Sequence, residues 1–203
     1  MRITLIDAGK RFNRDWIFRH LGYEFSPGHS YAITGANGSG KSTLLQAIAG
    51  AIALSEGSID YAGQPPEQVF RLLSLAAPYL EVIEEMTVAE FLHFHGSFKP
   101  FIPGISVGEI ISRVGLKSAA DKQIRYYSSG MKQRVRLAQA IFSDAPMLLL
   151  DEPCTNLDVE GIELYRSLVL EYGKSRLVVV SSNDPQEYDF CEEVINIMDY
   201  KPQ

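Results

Sequence analysis

Short segments separated by turn residues divide the first third of the chain into predicted strands. Residues 2–7 alternate apolar and polar side chains, and residues 23–26 do the same, as strands with one exposed face do. Residues 57–61 form a further short strand segment, which is followed by the Pro65-Pro66 pair. These three segments predict a small antiparallel sheet.

Apolar runs in the second half of the chain predict a different kind of sheet. Residues 147–150, 176–181 and 193–198 are largely apolar, which is typical of strands covered on both faces. Residues 30–34 and 72–77 are predicted as two more buried strands. The runs at residues 147–150 and 176–181 flank an amphipathic helix, whose apolar face carries Ile162, Tyr165, Leu168 and Val169. Strands that alternate with helices predict an α/β fold with a mainly parallel sheet.

The segment from about residue 87 to residue 143 is predicted to be mainly helical. Thr87 with Glu90, and Ser106 with Glu109, form two capping boxes, each followed by an apolar stretch. A third helix is predicted to begin at Ser128 or Ser129. The sequence therefore predicts a helical subdomain inserted between two strands of the parallel sheet.

Length and composition are those of one globular domain spanning residues 1–203, with 46% hydrophobic and 22% charged residues. No apolar run reaches the roughly 18 residues that cross a bilayer, and the N-terminus lacks a signal-peptide pattern. We therefore expect a cytoplasmic protein. Cys154 and Cys191 have no metal-ligand spacing and are expected to be reduced and partly buried. The net charge of -6 argues against nucleic acid as a partner.

The segment from Gly35 to Thr43 fits the phosphate-loop pattern G-x-x-x-x-G-K-[ST]. Glycines allow backbone torsions in which consecutive N–H groups surround phosphate oxygens, and the helix that follows directs its positive end toward the anion. Lys41 is expected to contact the β- and γ-phosphates, and Ser42 to bind Mg²⁺. The residues predicted to bind the nucleotide here are Gly35, Ala36, Asn37, Gly38, Ser39, Gly40, Lys41, Ser42 and Thr43.

An acidic pair, Asp151-Glu152, directly follows the apolar run at residues 147–150. A carboxylate at the end of a buried strand is suited to bind Mg²⁺, and Asp151 is predicted to do so. Glu152, one residue further on, is predicted to polarise an attacking water molecule. The alternative is that the pair caps the next helix.

Residues 127–134 resemble the signature motif of ATP-binding-cassette (ABC) ATPases. Ser128, Gly130, Gln133 and Arg134 match that motif, whereas Tyr127, Ser129 and Met131 depart from it. The motif precedes the acidic pair by about twenty residues, as in the family. Residues 155–158, which end in Asp158, resemble the D-loop of the family. Phe12 resembles the aromatic residue that stacks on adenine, with ordinary core packing as the alternative.

The resemblance covers nearly the whole chain and implies a P-loop NTPase fold that binds ATP and Mg²⁺. It implies a head-to-tail dimer in which Ser128 and Gly130 of one subunit meet the γ-phosphate held by Lys41 of the other. Asp158 and Asn183 are included among the residues expected near the nucleotide. The second ATP-binding subunit is either an identical or a different chain, and hydrolysis would separate the two.

Two positions depart from the family pattern. Pro78 occupies the place of the glutamine that touches Mg²⁺ and the attacking water, and Asn183 replaces the switch histidine. Glu81 lies near Pro78 but is expected to be a solvated loop carboxylate. Asparagine can donate a hydrogen bond to phosphate but cannot carry a proton or charge. The hypothesis is that the protein binds ATP well and hydrolyses it slowly.

Two functions fit these features. The first is an ATPase that energises an ABC transporter from the cytoplasmic face of the membrane, with separately encoded transmembrane permease subunits. The alternative is a slow or non-hydrolysing ATP-dependent regulatory or clamp protein that is not coupled to transport. A docking patch for the permease would use exposed aromatic residues, although phenylalanines at helical spacing are also typical of a core. The aromatic residues considered are Tyr79, Phe91, Phe94, Phe98 and Phe101.

Overall fold

The structure, a computed structural model, describes residues 1–201 and contains eight strands and five α-helices within them. The strands are β1 (Ile3–Phe12), β2 (Asp15–Phe25), β3 (Ser30–Thr34), β4 (Glu56–Asp60), β5 (Leu73–Ala76), β6 (Met147–Asp151), β7 (Leu177–Ser181) and β8 (Glu193–Asn196). The helices are α1 (Lys41–Ile48), α2 (Val88–Phe98), α3 (Val107–Arg113), α4 (Ser129–Ile141) and α5 (Val159–Tyr172).

A three-stranded antiparallel sheet has the order β2-β1-β4, as the alternating segments predict. Strands β1 and β2 extend well beyond residues 2–7 and 23–26 and form one long hairpin, whose turn places Asn13 at φ 54°. The sequence pattern locates only the ends of this hairpin, because the register shifts between Leu5 and Arg11 interrupt the alternation. The sheet supplies one wall of the site described below.

A five-stranded sheet has the order β5-β6-β7-β3-β8, and all four of its strand pairings are parallel. Every residue of β6 and β7 is buried, as expected for strands covered on both faces. Ser181 of β7 lies opposite Ile33 of β3 and Asp151 of β6. The carboxyl ends of these three central strands therefore meet at one edge, where α/β proteins bind their ligands. The predicted α/β fold is confirmed.

The prediction of a buried strand at residues 193–198 is wrong in the length and in the burial of the strand. Strand β8 stops at Asn196, and Ile197–Tyr200 forms a 3₁₀ turn. Because β8 lies at the edge of the sheet, Val194 is 58% exposed and Ile195 is the one buried residue of the strand. An apolar run alone does not distinguish an edge strand from a central one.

Helices α2, α3 and α4 lie between β5 and β6 in the chain, where the helical insertion is predicted. Both capping boxes are present, and Ser128 is the residue that caps α4. The longest helix in the described residues, α5, has 14 residues. Within residues 1–201 no helix combines the length and the apolar character needed to cross a membrane.

The aromatic residues of the predicted docking patch divide between core and surface. Phe91 is buried in α2, and Phe101 is partly buried against the same core. Phe94 and Phe98 are exposed and stack edge to face with ring centroids 5.1 Å apart. The core alternative is therefore right for the first two and wrong for Phe94 and Phe98.

Both cysteines are free, as the sequence predicts. Burial raises the pKa of Cys154 and Cys191, the latter to about 12, so neither thiol ionises readily near neutral pH. The backbone N–H of Cys154 donates to Glu187 Oε1 at 2.7 Å, which holds the segment after β6 against the segment after β7.

Candidate functional site

The loop between β3 and α1 has the backbone geometry of a phosphate cradle. Gly35, Gly38 and Gly40 have φ values of 145°, 74° and 105°, which residues with side chains rarely adopt. Gly40 precedes α1 directly, and no side chain caps the first turn of this helix. The N–H groups at the start of α1 are therefore available to an anion.

The cradle is closed on one side by Ile17, a residue outside every motif in the sequence. A Cβ atom on Gly40 would lie only 2.1 Å from Ile17 Cγ2, and one on Gly35 would lie 2.8 Å from the Ile197 side chain. Ile17 belongs to β2, in the other sheet, and no sequence pattern indicates that this strand reaches the phosphate loop. The contact between Ile17 and the phosphate loop is therefore visible only in the tertiary structure.

Two polar side chains inside the loop fit a phosphate group. Lys41 is buried, and its Nζ donates to the carbonyl oxygens of Gly35 and Ala36 at 3.0 and 3.3 Å. The hydroxyl of Ser39 is also buried and finds no hydrogen-bond partner within residues 1–201. A buried donor without a partner is costly, and a phosphate oxygen would satisfy it. The cleft of about 210 Å³ at this point is lined by Ile17, Asn37, Gly38, Gly40, Lys41, Ser42, Thr43 and Glu152.

Asp151 ends β6 in a position suited to a divalent cation. Its side chain is buried and accepts a hydrogen bond from Ser181 Oγ at 2.7 Å. Burial raises the pKa of Asp151, and this effect is partly offset by the Ser181 and Ser42 hydroxyls and by the Lys41 charge. A carboxylate beside a serine hydroxyl is a hard-oxygen donor set of the kind that Mg²⁺ prefers. The residues present therefore fit the predicted metal.

Glu152 faces the same cleft from a strained backbone position. Its φ is 43°, and its N–H donates to the carbonyl oxygen of Ser181 at 2.8 Å. Such a conformation costs about 1–3 kcal/mol and persists only where the surroundings impose it. The alternative that the acidic pair caps the next helix is wrong, because α5 begins at Val159 and is capped by Asp158.

Asn183, after β7, contacts the phosphate loop directly. Its Nδ2 donates to Asn37 Oδ1 at 3.1 Å, and its side chain is exposed. The four histidines have their contacts elsewhere in the structure. These contacts are His20 to Asp7, His29 to Glu192, His93 to the Ala89 carbonyl oxygen and His95 to Ser143.

The loop after β5 brings a tyrosine toward the site. Pro78 is exposed in a turn and offers no polar side chain, and Glu81 is exposed as predicted. Tyr79 interacts with the Gln46 side chain of α1, while burial and the nearby Asp151 carboxylate raise the pKa of its hydroxyl. Tyr79 is 46% exposed. The residue considered for a docking patch therefore also lies near Gln46 and Asp151.

The signature segment forms a second cleft, of about 360 Å³, that shares no lining residue with the first. Ser128 caps α4, with its Oγ accepting the Met131 N–H at 3.2 Å. A Cβ atom on Gly130 would lie 2.8 Å from the carbonyl oxygen of Asn156, so the D-loop segment packs on the start of α4. This cleft is lined by Ser128, Ser129, Gly130, Met131, Arg134, Asn156, Leu157 and Asp158.

Asp158 has a defined local role within that second cleft. Its Oδ1 accepts the Gly161 N–H at 2.9 Å and lies 3.5 Å from Arg134 Nη2. It therefore caps α5 and joins the start of this helix to α4.

Phe12 lies at the tip of the β1–β2 hairpin and is 49% exposed. The Nζ atom of Lys10 is 4.9 Å from the ring centroid. The alternative of ordinary core packing is therefore wrong, and a stacking contact with adenine stays a prediction.

The fold is that of solved ABC ATP-binding cassettes. A putative ABC transporter ATP-binding protein from Pyrococcus furiosus aligns over 100% of both chains with a TM-score of 0.85 and 22% identity. A bacterial ABC transporter cassette of dimeric structure aligns over 96% of this chain and 94% of its own, with a TM-score of 0.81 and 21% identity. At these identities the likeness concerns the fold.

The sequence defines the family. The model of the ABC transporter family matches residues 18–155. The cytochrome c biogenesis ATP-binding export protein CcmA of Agrobacterium fabrum is 31% identical over 202 residues, which cover 96% of this chain and 94% of that protein. The chain therefore belongs to the ABC transporter family as an ATP-binding cassette, and the resemblance noted in the motifs is confirmed.

Substituting Gly40 tests the cradle. We expect Gly40→Ala to lower the free energy of unfolding by about 1–3 kcal/mol and to weaken ATP binding at least about tenfold, because both φ and Ile17 oppose a Cβ atom. Calorimetric titration with ATP and urea unfolding measure the two effects. The control is Gly108→Ala in α3, where a Cβ atom meets nothing within 4 Å. Wild-type ATP affinity in Gly40→Ala would contradict the cradle.

Proposed function

We propose that this protein is the ATP-hydrolysing subunit of an ABC transporter and acts through ATP-driven head-to-tail dimerisation. The observation that carries the proposal is the separation of two clefts in one chain. The first contains Lys41 and Glu152, and the second contains Ser128 and Gly130. The first can hold phosphates, whereas the second presents the start of α4 without a phosphate loop of its own, so it would meet a phosphate only on another chain. Two chains placed head to tail would complete two equivalent sites.

The first cleft would supply the phosphate-binding, metal-binding and proton-accepting groups of ATP hydrolysis. The phosphate loop and Lys41 would hold the β- and γ-phosphates, and Ser42 with Asp151 would hold Mg²⁺. Magnesium, when bound, would neutralise part of the phosphate charge. A water molecule would attack the γ-phosphorus while the bond to the β–γ bridging oxygen breaks, and Glu152 would take the proton of that water.

Slow turnover is part of the proposal, because two contacts to the reacting groups are altered. Pro78 offers no hydrogen-bonding side chain, and Asn183 is held by Asn37 of the phosphate loop. Loss of one preorganised donor costs roughly a hundredfold or more in rate. The alternative function, an ATP-dependent regulatory or clamp protein, rests on the same two positions.

Membrane partners are proposed from family membership and from the aromatic surface of α2. Phe94 and Phe98 project from this helix, and Lys99 at its end donates to the carbonyl oxygen of Phe70, which is itself 59% exposed. Exposed aromatic rings grouped in this way are typical of an interaction surface. We propose that transmembrane permease subunits dock here, which would place the protein on the cytoplasmic face of the membrane.

The dimer is tested with Glu152→Gln. We expect this variant to bind ATP without hydrolysing it and to double in mass when ATP is added, because the γ-phosphate would bridge two subunits. Light scattering after size exclusion measures the mass, with ADP as the nucleotide control. Glu160→Gln, on the exposed start of α5, is the matched control and should keep wild-type turnover. A Glu152→Gln protein that stays monomeric with ATP would contradict the sandwich.

The slow turnover is tested with Asn183→His. We expect ATP turnover to rise roughly ten- to a hundredfold, since imidazole can donate to phosphate and also carry charge. Phosphate release is the measurement. Gln186→His, three residues further along the exposed turn, controls for the added imidazole and should leave the rate unchanged. An unchanged rate in Asn183→His would show that Asn183 does not limit hydrolysis.

The docking surface is tested with Phe98→Ser. We expect the variant to lose co-purification with the proposed transmembrane subunit, while its ATP affinity stays that of wild type. Tyr126→Ser is the control, because Tyr126 is 73% exposed, close to the 75% of Phe98. Equal recovery of the membrane subunit with both variants would remove Phe98 from the interface.

A further inference from the structure

Arg136 occupies the middle of α4 and connects two parts of the chain that border the nucleotide site. Its Nε donates to the carbonyl oxygen of Leu80, in the loop after β5, at 2.8 Å. Its Nη1 donates to the side-chain oxygen of Gln133, one helical turn earlier, at 3.3 Å. A planar guanidinium can make both bonds at once, whereas shorter or single-headed side chains cannot.

Gln133 continues the connection to the turn that follows Glu152. This side chain is 1% exposed, and its Nε2 donates to the carbonyl oxygen of Pro153 at 2.8 Å. Pro153 directly follows Glu152. Three hydrogen bonds therefore run from Leu80 through Arg136 and Gln133 to Pro153. Both ends of this relay are backbone carbonyl oxygens, so it acts on main-chain position at each end.

The Pro153 end of the relay follows a strained residue, and the Leu80 end lies in a loop that lacks a side-chain contact to the site. Glu152 has a left-handed φ of 43°, which packing and hydrogen bonds must hold in place. The loop after β5 carries Pro78, which has no side-chain amide with which to contact the site. The same loop is attached to the helical segment a second time, since Lys132 of α4 pairs with Glu84 at 2.6 Å.

We propose that Arg136 is a positioning residue that couples the loop after β5 to the orientation of Glu152. Movement of the loop would pull on the Leu80 carbonyl oxygen, and the relay would transfer this displacement to the turn at Pro153. The coupling replaces, through the main chain, the contact that a side chain at residue 78 cannot make. The expected change in ATP turnover rests on the proposed function. The coupling between the two segments rests only on the hydrogen bonds described above.

Arg136→Gln tests the relay, with hydrogen–deuterium exchange as the readout that needs no hydrolysis. We expect faster exchange both at residues 78–83 and at residues 152–157, while α1 and β6 stay protected. Turnover should fall between about two- and thirtyfold, with ATP affinity within about twofold of wild type. The matched control is Arg113→Gln in α3, which loses the exposed pair with Glu171 and the contact over the Tyr172 ring but no bond of the relay, and should change neither readout.

A second variant divides the relay at its other half. Gln133→Glu can still accept from Arg136 but cannot donate to Pro153, so exchange should rise at residues 152–157 alone. Arg136→Lys keeps one donor and should recover part of the lost rate.

Unchanged exchange at residues 152–157 in Arg136→Gln would overturn the proposal. A wild-type protein without ATP turnover would contradict the proposed function. The exchange pattern of the variants would still show whether the relay exists.

Discussion

The parallel register around Ser181 is the constraint on which the site depends. Ser181 pairs with Ile33 on one side and with Asp151 on the other. Its hydroxyl donates to the Asp151 carboxylate, and its carbonyl oxygen accepts the Glu152 N–H. Because these strands end at one level, the phosphate loop, the acidic pair and Asn183 meet at one edge of the sheet. A slip of one residue would turn Asp151 toward the opposite face.

Burial of unlike charges prepares this edge for a charged ligand. Lys41 is held by two carbonyl oxygens, and Asp151 by hydroxyl groups, at positions from which water is largely removed. Each group would gain a stronger partner from a phosphate or from a metal ion. These hydrogen bonds thus orient Lys41 and Asp151 and leave both able to bind a ligand. The Ser39 hydroxyl, which is unpaired within the described residues, is one further donor for that ligand.

Prediction from the sequence succeeded where a local pattern has one physical meaning. The spacing of Gly35, Gly40 and Lys41 implies a left-handed loop before a helix, and the loop is as predicted. Prediction failed where the outcome depends on neighbours in space. The pattern could not show that β8 lies at an edge, or that Phe91 packs inside while Phe98 projects into solvent.

The sequence by itself determined the phosphate loop, the acidic pair and the family, because these depend on the order and spacing of residue types. Only the tertiary structure decided which distant residues complete the site. Ile17 closes the loop from another sheet, Asn183 meets Asn37, and Leu80 is joined to Arg136 across long separations in the chain. Such contacts result from sheet order and helix packing, which a single sequence leaves open. For the same reason, the separation of the two clefts became visible only in the folded chain.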